Sequence, residues 1–258
     1  MNRFLFCTYG ASGHINPTLP VAIALKQCGH EVAILTSTKY ADTVRNSGLT
    51  YIAPRTWEAT LEKVEPEPPT RNPFEMFSRV LATVRTVFLH DSPLQAHDLR
   101  AAMRDWSADV LVGSNATGGV SLVAEQERIP WATHSLTIAC MLPSRDLPRF
   151  GMGAVRPHTP IQLFQTRLLN RLVDSLMSPL SHEWNTLRAK ERLPRRNVSL
   201  LQNLISPYLY TIPSSTAFDF PRSDLPPQVH YVGPCLWKEG KGVMVWENPF
   251  QDDKPLVY

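Results

Sequence analysis

The chain has 258 residues, of which 43% are apolar and 19% are charged, with a formal net charge of +3 at pH 7. This composition is typical of one globular α/β domain, with or without an appendage. The small net charge provides no strong basic field, so we expect no nucleic-acid partner. No run of about 18 apolar residues is present, which predicts no membrane span.

Four cysteines, Cys7, Cys28, Cys140 and Cys235, are far apart in the sequence and form no CxxC pair. Their spacing predicts a reduced, cytoplasmic protein and argues against a zinc site. The chain starts with MNRFLFCTYGASG, in which the apolar run is too short for a signal peptide. We interpret this run as a first strand.

The first third of the chain alternates strand and helix patterns. Residues 4–9 form a continuous apolar run, which predicts a strand buried on both faces. Asn16 as the N-cap and Pro17 as the first helical residue predict a helix that runs to Cys28. Further patterns predict a strand at 31–36, a helix at 40–46 and a strand at 50–53. This alternation predicts a parallel sheet with right-handed crossovers.

The remaining chain continues this alternation around two irregular segments. Residues 54–72 are rich in proline and charge and predict a loop, and residues 140–159 form a second irregular insert. Helical patterns cover 74–105 with a break near Pro93, 118–128, 160–192 with a break near Pro179, and 198–205. Strand patterns cover 109–113, 130–138, 209–212 and 230–232. The sequence therefore predicts a Rossmann-like α/β domain, with a parallel sheet and helices on both faces.

The turn after the first strand, Gly10-Ala11-Ser12-Gly13, does not have the GxGxxG spacing of dinucleotide-binding turns. The second strand is followed by Thr36-Ser37-Thr38, without the acid that would bind a ribose. A P-loop motif is absent as well. These features argue against a nicotinamide cofactor. They leave a helix N-terminus that weakly favours anions at the carboxyl ends of the strands.

His14 follows this turn, where the strand meets the helix. One interpretation is a histidine that only hydrogen-bonds its own loop. The other is a general base, because neutral imidazole can take a proton from a hydroxyl near pH 7. The positive end of the helix favours the neutral imidazole, which supports the second interpretation without excluding the first.

Several motifs resemble the family 1, GT-B-fold glycosyltransferases, in particular their bacterial macrolide-glycosyltransferase branch. GHINPTLPVAIALKQCGHEVAILTS resembles the first strand–helix–strand unit, and ADVLVGSNATGGVSLVAEQERIPWATHS resembles the fourth-strand region. HYVGPCLW resembles the exit into the interdomain linker, and KPLVY resembles the first strand of the second domain. The resemblance therefore covers nearly the whole chain, but only the N-terminal, acceptor-binding half of the family.

The resemblance implies an acceptor-binding domain at residues 1–233, then a linker and the start of a missing C-terminal nucleotide-sugar domain at 234–258. The implied reaction is inverting transfer of a sugar from a UDP- or dTDP-sugar co-substrate to a hydroxyl of a hydrophobic small molecule, without a metal or other cofactor. His14 would be the base. The implied acceptor-site residues are Gly10, Ser12, Gly13, Phe74, Phe77, Phe88, His134 and Met141.

The sequence departs from the family pattern at the acid that usually orients the histidine. Counting back from Ile129, its place falls on Ser114, with Asn115 next, and neither side chain carries a negative charge. Either one could fix the imidazole by a hydrogen bond, or Asp91 could take the acid's place.

The sequence leaves two alternatives open. One is another GT-B enzyme, such as a peptidoglycan-type glycosyltransferase or a nucleotide-sugar epimerase. The other is a non-catalytic acceptor-binding or auxiliary module. The implied absence of the nucleotide-sugar domain also predicts that this chain alone is inactive.

Overall fold

A computed structural model describes residues 1–58, 72–136, 139, 142–149 and 155–237 of the chain. In these residues, seven strands form one parallel sheet in the order β3-β2-β1-β4-β5-β6-β7. This order, with a reversal beside β1, is that of the Rossmann fold. The strands are β1 (Arg3–Cys7), β2 (Glu31–Leu35), β3 (Thr50–Ile52), β4 (Val110–Ser114), β5 (Trp131–His134), β6 (Leu209–Ile212) and β7 (Val229–Tyr231).

Helices cover both faces of the sheet, as the sequence predicts. They are α1 (Ser12–Gln27), α2 (Ala41–Asn46), α3 (Pro73–Val84), α4 (Asp91–Asp105), α5 (Gly118–Glu127) and α6 (Pro160–Lys190), with a π-helical segment at Arg85–His90 and 3-10 turns at Thr38–Tyr40, Leu201–Leu204 and Thr216–Phe218. Alternate residues of β1 point to opposite faces. Phe6 packs in a cluster with Ile15 and Leu19 of α1, while Leu5 packs in a cluster with Leu99 of α4 and Val120 of α5.

Helix α1 begins one turn earlier than the sequence predicts. Asn16 is not its N-cap, because the helix starts at Ser12 and continues through Pro17 and Pro20. The backbone N–H groups of His14 and Ile15 both donate to the carbonyl of Ala11, at 2.8 and 2.9 Å, and these bonds close the extra turn. As a result, His14 belongs to the helix itself rather than to the loop before it.

The break predicted near Pro93 appears as a π-helical segment between α3 and α4, whereas the break predicted near Pro179 is wrong. The chain passes Pro93 by widening into the π-helical segment just before it, where the hydroxyl of Ser92 donates to the carbonyl of Phe88 at 2.8 Å. Helix α6 runs through Pro179 without ending. The carbonyl that Pro179 cannot bond belongs to Ser175, on an exposed part of the helix where water can satisfy it.

The end of the described chain returns to the sheet. Trp237 packs against the cluster formed by α1, β1 and β2, whereas Leu236 is exposed. The strand predicted at 256–258 lies outside the described residues. None of the helices in the described ranges is both long enough and apolar enough to cross a membrane.

Candidate functional site

The candidate site lies at the carboxyl edge of the sheet, where the turn after β1 meets the end of β2. A Cβ atom on Gly10 would lie 2.2 Å from the Cβ atom of Ser37, so only glycine lets the two segments approach this closely. Ser12 and Gly13 are exposed in the first turn of α1, and no acidic residue lies in that turn. The positive end of the helix therefore faces the site without a local counter-charge.

His14 is the third residue of α1 and is half-buried. Its Nδ1 atom is buried and has no hydrogen-bond partner among the described residues. Burial lowers the pKa of His14 from 6.5 to about 4, because it penalises the charged imidazolium. The side chain is therefore neutral at pH 7, which is the state in which an imidazole can accept a proton.

Two aromatic residues and one buried acid form a chain of contacts that starts at His14. The ring of Tyr9 lies against the imidazole with 5.4 Å between ring centroids, and the ring of Trp57 packs edge-on against Tyr9 at 5.0 Å. The Tyr9 hydroxyl donates to a carboxylate oxygen of Asp91, and the indole N–H of Trp57 donates to the same oxygen at 3.4 Å. His90 Nδ1 lies 3.1 Å from the other oxygen. Asp91 is only 3% exposed, so its carboxylate contacts these protein groups rather than solvent.

A second buried acid, Asp98, holds the segment that carries Trp57. Its carboxylate accepts hydrogen bonds from the backbone N–H groups of Arg55, Thr56 and Trp57 at 2.9 to 3.2 Å. Burial alone would raise the pKa of Asp98, but these bonds outweigh it and the net shift is downward. The charged carboxylate therefore fixes this loop against α4, and with it the indole that contacts Tyr9.

Ser114 is the last residue of β4 and Asn115 follows it, but the Ser114 hydroxyl contacts groups other than His14. The Ser114 hydroxyl accepts from the backbone N–H of Ala116 at 3.2 Å and lies 3.4 Å from the hydroxyl of Thr117. These contacts stabilise the turn between β4 and α5. Asn115 is half-buried in the same turn. Nδ1 of the imidazole has no partner in the described part of the chain, so the prediction that Ser114 or Asn115 fixes the ring by a hydrogen bond has no support at this nitrogen.

The aromatic residues predicted for the acceptor site do not all lie at one cavity. Phe88 is buried and lines a cavity of about 890 Å³ between α3, α6 and residues 195–202. Phe77 is half-buried on α3 and is not among the residues that line this cavity. Phe74 lies on α3, but its side chain is outside the described part, and Met141 is outside the described residues altogether. The structure therefore connects only Phe88 with a described cavity.

His134 is buried in the sheet rather than open to a ligand. Its Nδ1 atom lies 2.8 Å from the hydroxyl of Thr211, and its Nε2 atom lies 3.0 Å from the carbonyl of Pro17. The side chain is 2% exposed. This arrangement joins β5, β6 and α1, and it favours a structural role for His134 over the implied role in the acceptor site.

The 890 Å³ cavity is mainly apolar and open at one side. Its lining includes Val84, Phe88, Met177 and Leu180, and Arg79, Arg149 and Arg195 lie among its polar residues. His14 does not line it. The two regions are linked through the chain, because Asp91 lies about one helical turn after Phe88 and bonds to Tyr9. Across the described ranges, no group of three or more His, Cys, Asp or Glu side chains is arranged to hold a metal ion.

Comparison with protein families matches residues 4–138 to the glycosyltransferase family 28 N-terminal domain. The chain is 29% identical over 263 aligned residues to 4'-demethylrebeccamycin synthase from Lentzea aerocolonigenes, covering 99% of this chain and 62% of that protein. It is 32% identical over 142 residues to zeaxanthin glucosyltransferase from Pseudescherichia vulneris, covering 52% of this chain and 32% of that protein. The chain thus spans less than two thirds of the length of each relative.

Solved structures with the same fold include the glycosyltransferase of kitacinnamycin, with a TM-score of 0.58, 15% identity, and coverage of 93% of this chain and 53% of that one. Another is the glycosyltransferase SsfS6 from Streptomyces sp. SF2575, complexed with thymidine diphosphate, with a TM-score of 0.52, 18% identity, and coverage of 85% and 51%. These similarities confirm the predicted fold class, which is that of one half of a GT-B glycosyltransferase.

Proposed function

Because the chain belongs to the family of glycosyltransferase family 28 N-terminal domains, we propose that it supplies the acceptor site and the catalytic base of an inverting natural-product glycosyltransferase. The observation that carries this proposal is His14, a neutral, half-buried imidazole at the carboxyl edge of the sheet. It stands in the helix that follows β1, at the edge where ligands bind to open α/β sheets.

In the proposed reaction, the acceptor hydroxyl gives its proton to the imidazole of His14. The hydroxyl oxygen attacks the anomeric carbon of the sugar from the face opposite the nucleoside diphosphate, which leaves with the electrons of the broken bond. The configuration of that carbon is therefore inverted. His14 suits this role because its neutral form dominates at pH 7, so nearly every molecule starts the reaction able to accept a proton.

The 890 Å³ cavity supports a hydrophobic acceptor. Its volume falls in the range of small-molecule sites, and the side chains of Val84, Phe88 and Leu180 give it apolar walls. We propose that the apolar body of the acceptor lies there while one hydroxyl reaches His14. The names of the relatives, a rebeccamycin synthase and a zeaxanthin glucosyltransferase, support a natural product as acceptor.

The co-substrate in this proposal is a UDP- or dTDP-sugar bound by a C-terminal domain, as the thymidine diphosphate in SsfS6 suggests. Residues 1–233 would then form the acceptor-binding domain, and 234–258 the linker and the start of the second domain. Cys7, Cys28 and Cys235 are free thiols, which supports a reducing, cytoplasmic location. The proposal includes the assignment of the chain to the family 1 glycosyltransferases.

The direct test is His14→Ala in a protein that joins this chain to its C-terminal domain. We expect kcat to fall by about 10²-fold or more, the usual loss for a general base, with little change in acceptor binding. His230→Ala is the matched control, because His230 is exposed on β7. A His14→Ala enzyme within about threefold of the parent would show that the base lies elsewhere. Acceptor binding without any sugar transfer by the parent protein would favour a non-catalytic module.

A further inference from the structure

We propose that Tyr9 and Asp91 are positioning residues for His14. Asp91 fixes the hydroxyl of Tyr9, and the ring of Tyr9 in turn fixes the plane of the imidazole. This inference rests on the proposed function, since it requires His14 to be the base. In the family pattern, an acid after β4 orients the histidine, and this chain has no acid there. The inference assigns that orienting role to Asp91 of α4.

Asp91 is placed to hold Tyr9 rather than to meet a ligand. The carboxylate is 3% exposed and is in contact with Tyr9, Trp57 and His90. Trp57 is fully buried and packs edge-on against Tyr9 at an interplanar angle of 84°. The tyrosine ring is therefore fixed at its hydroxyl by Asp91 and along its side by Trp57, which leaves it little freedom to rotate.

Tyr9 is the one ring that the structure places against the imidazole within the described residues. The two rings are tilted by 50°, with 5.4 Å between their centroids. Because His14 Nδ1 has no hydrogen-bond partner there, packing against Tyr9 replaces the bond that would otherwise set the ring's orientation. A fixed imidazole keeps its accepting nitrogen aimed at the acceptor, and a misplacement of about 1 Å can reduce a rate about 100-fold.

Tyr9 acts in this arrangement as a neutral hydrogen-bond donor. Burial and the bond to Asp91 raise the pKa of Tyr9 well above its usual range, so the phenol keeps its proton. Asp91 therefore acts on His14 through the position of Tyr9, and no proton passes between them. This separates the arrangement from a carboxylate–imidazole pair in which the acid bonds the histidine directly.

The test compares Tyr9→Phe, Asp91→Asn and the double variant in the complete two-domain protein. Each single variant is expected to lower kcat about tenfold, with the KM for the acceptor within about threefold of the parent. The double variant is expected to lose no more than either single variant, because Asp91 acts through the Tyr9 hydroxyl. Tyr208→Phe and Asp105→Asn are the controls, since Tyr208 is 65% exposed and the Asp105 side chain is 72% exposed on the same helix as Asp91.

The same substitutions in the His14→Ala protein separate this inference from the proposed function. There they are expected to change kcat less than twofold, since the side chain they position is gone. A further tenfold loss in that background, or a hundredfold loss in the double variant, would overturn the inference. If His14→Ala removes activity but Tyr9→Phe and Asp91→Asn do not, the inference fails and the proposed function stands. If His14→Ala leaves activity intact, the proposed function fails first.

Folding of each variant is checked by circular dichroism and thermal unfolding. Should Asp91→Asn fail to fold, Tyr9→Phe decides the matter, because it keeps the ring and removes only the hydroxyl. A purely structural role would lower the unfolding temperature of Tyr9→Phe and leave kcat of the folded enzyme unchanged, and that result would overturn the inference.

Discussion

At the scale of single residues, burial and the positive end of α1 both disfavour the charged form of the His14 imidazole. Burial lowers its pKa to about 4, and the positive end of α1 also disfavours the imidazolium. An unfolded histidine titrates near 6.5, so the unfolded chain binds the proton first as the pH falls. His14 therefore contributes stability that is fully present above about pH 6.5 and is lost between about pH 6.5 and 4.

The lowered pKa of His14 leads to a prediction about unfolding in acid. Between pH 6.5 and 4, the free energy of unfolding of His14→Gln should fall less steeply than that of the parent, by an amount on the order of 1–3 kcal/mol over the window. Urea unfolding at several pH values measures this difference, and NMR titration of the imidazole gives the pKa itself. A His14 pKa at or above 6.5 would show that burial does not control this group.

Some residues of the candidate site could be predicted from the sequence, and others could not. His14 could be found because its motif lies within a few residues of β1. Ser114 is the last residue of β4, and its hydroxyl bonds groups of the following turn instead of the imidazole. The contact between Tyr9 and Asp91 joins two elements far apart in the chain, and no local pattern encodes it. The sequence did point to Asp91 as an acid that could take the missing place, but not to its contact with Tyr9.

At the scale of elements, close approach of α4 and α5 requires glycine at position 119. A Cβ atom there would lie 2.5 Å from the Cβ atom of Gln95 and 2.7 Å from backbone atoms of Ser92 and Ala96. Backbone atoms cannot move aside cheaply, so we expect Gly119→Ala to destabilise the fold by about 1–3 kcal/mol. Gly13→Ala is the control, because a Cβ atom there meets nothing within 4 Å. Equal unfolding midpoints of the two variants in urea would contradict this packing.

A buried ion pair joins α6 to α5. The guanidinium of Arg188 is 1% exposed and donates to both oxygens of Glu125, at 3.1 and 2.7 Å, and to the carbonyl of Pro194 at 2.9 Å. Replacing it leaves the carbonyl of Pro194 without this donor and the half-buried Glu125 carboxylate with the longer, 3.4 Å pair to Arg196, so we expect Arg188→Met to cost about 2–4 kcal/mol. Arg85→Met removes an exposed pair with Glu183 of α6 and should have a much smaller effect, because water screens exposed ion pairs. Chemical denaturation of both variants measures the difference, and similar losses would contradict a special role for burial.

The elements show why strands were easier to predict than helix ends. The strand positions followed from continuous apolar runs between turns, and the observed sheet contains each of the strands predicted in the described residues. Prolines gave the wrong boundaries at 17 and 179, because neighbouring groups or solvent can satisfy the carbonyls they leave free. A proline indicates a missing donor, and the tertiary surroundings decide whether the helix stops there.

At the scale of the whole molecule, the described sheet carries the proposed acceptor site and has no evident nucleotide-binding turn after β1. The turn at Gly10 lacks the glycine spacing that cradles a pyrophosphate, and β2 is followed by Thr36 and Ser37 instead of an acid. The helix terminus with its neutral His14 is therefore the one anion-friendly feature of this turn. The chain also spans 62% of the length of its rebeccamycin-synthase relative.

This organisation predicts how the 258-residue chain behaves when it is studied alone. We expect no measurable sugar transfer, because the proposed mechanism needs a leaving nucleoside diphosphate held opposite the acceptor hydroxyl. Calorimetry with UDP and with dTDP should show dissociation constants no tighter than about 10⁻⁴ M, since a helix terminus alone contributes at most about 1–2 kcal/mol to anion binding. The protein joined to its proposed C-terminal domain is the control and should bind one of the two nucleotides more tightly. Sub-micromolar nucleotide affinity of the chain alone would mean that the donor site lies within these residues, and the proposed division between acceptor and donor domains would then be wrong.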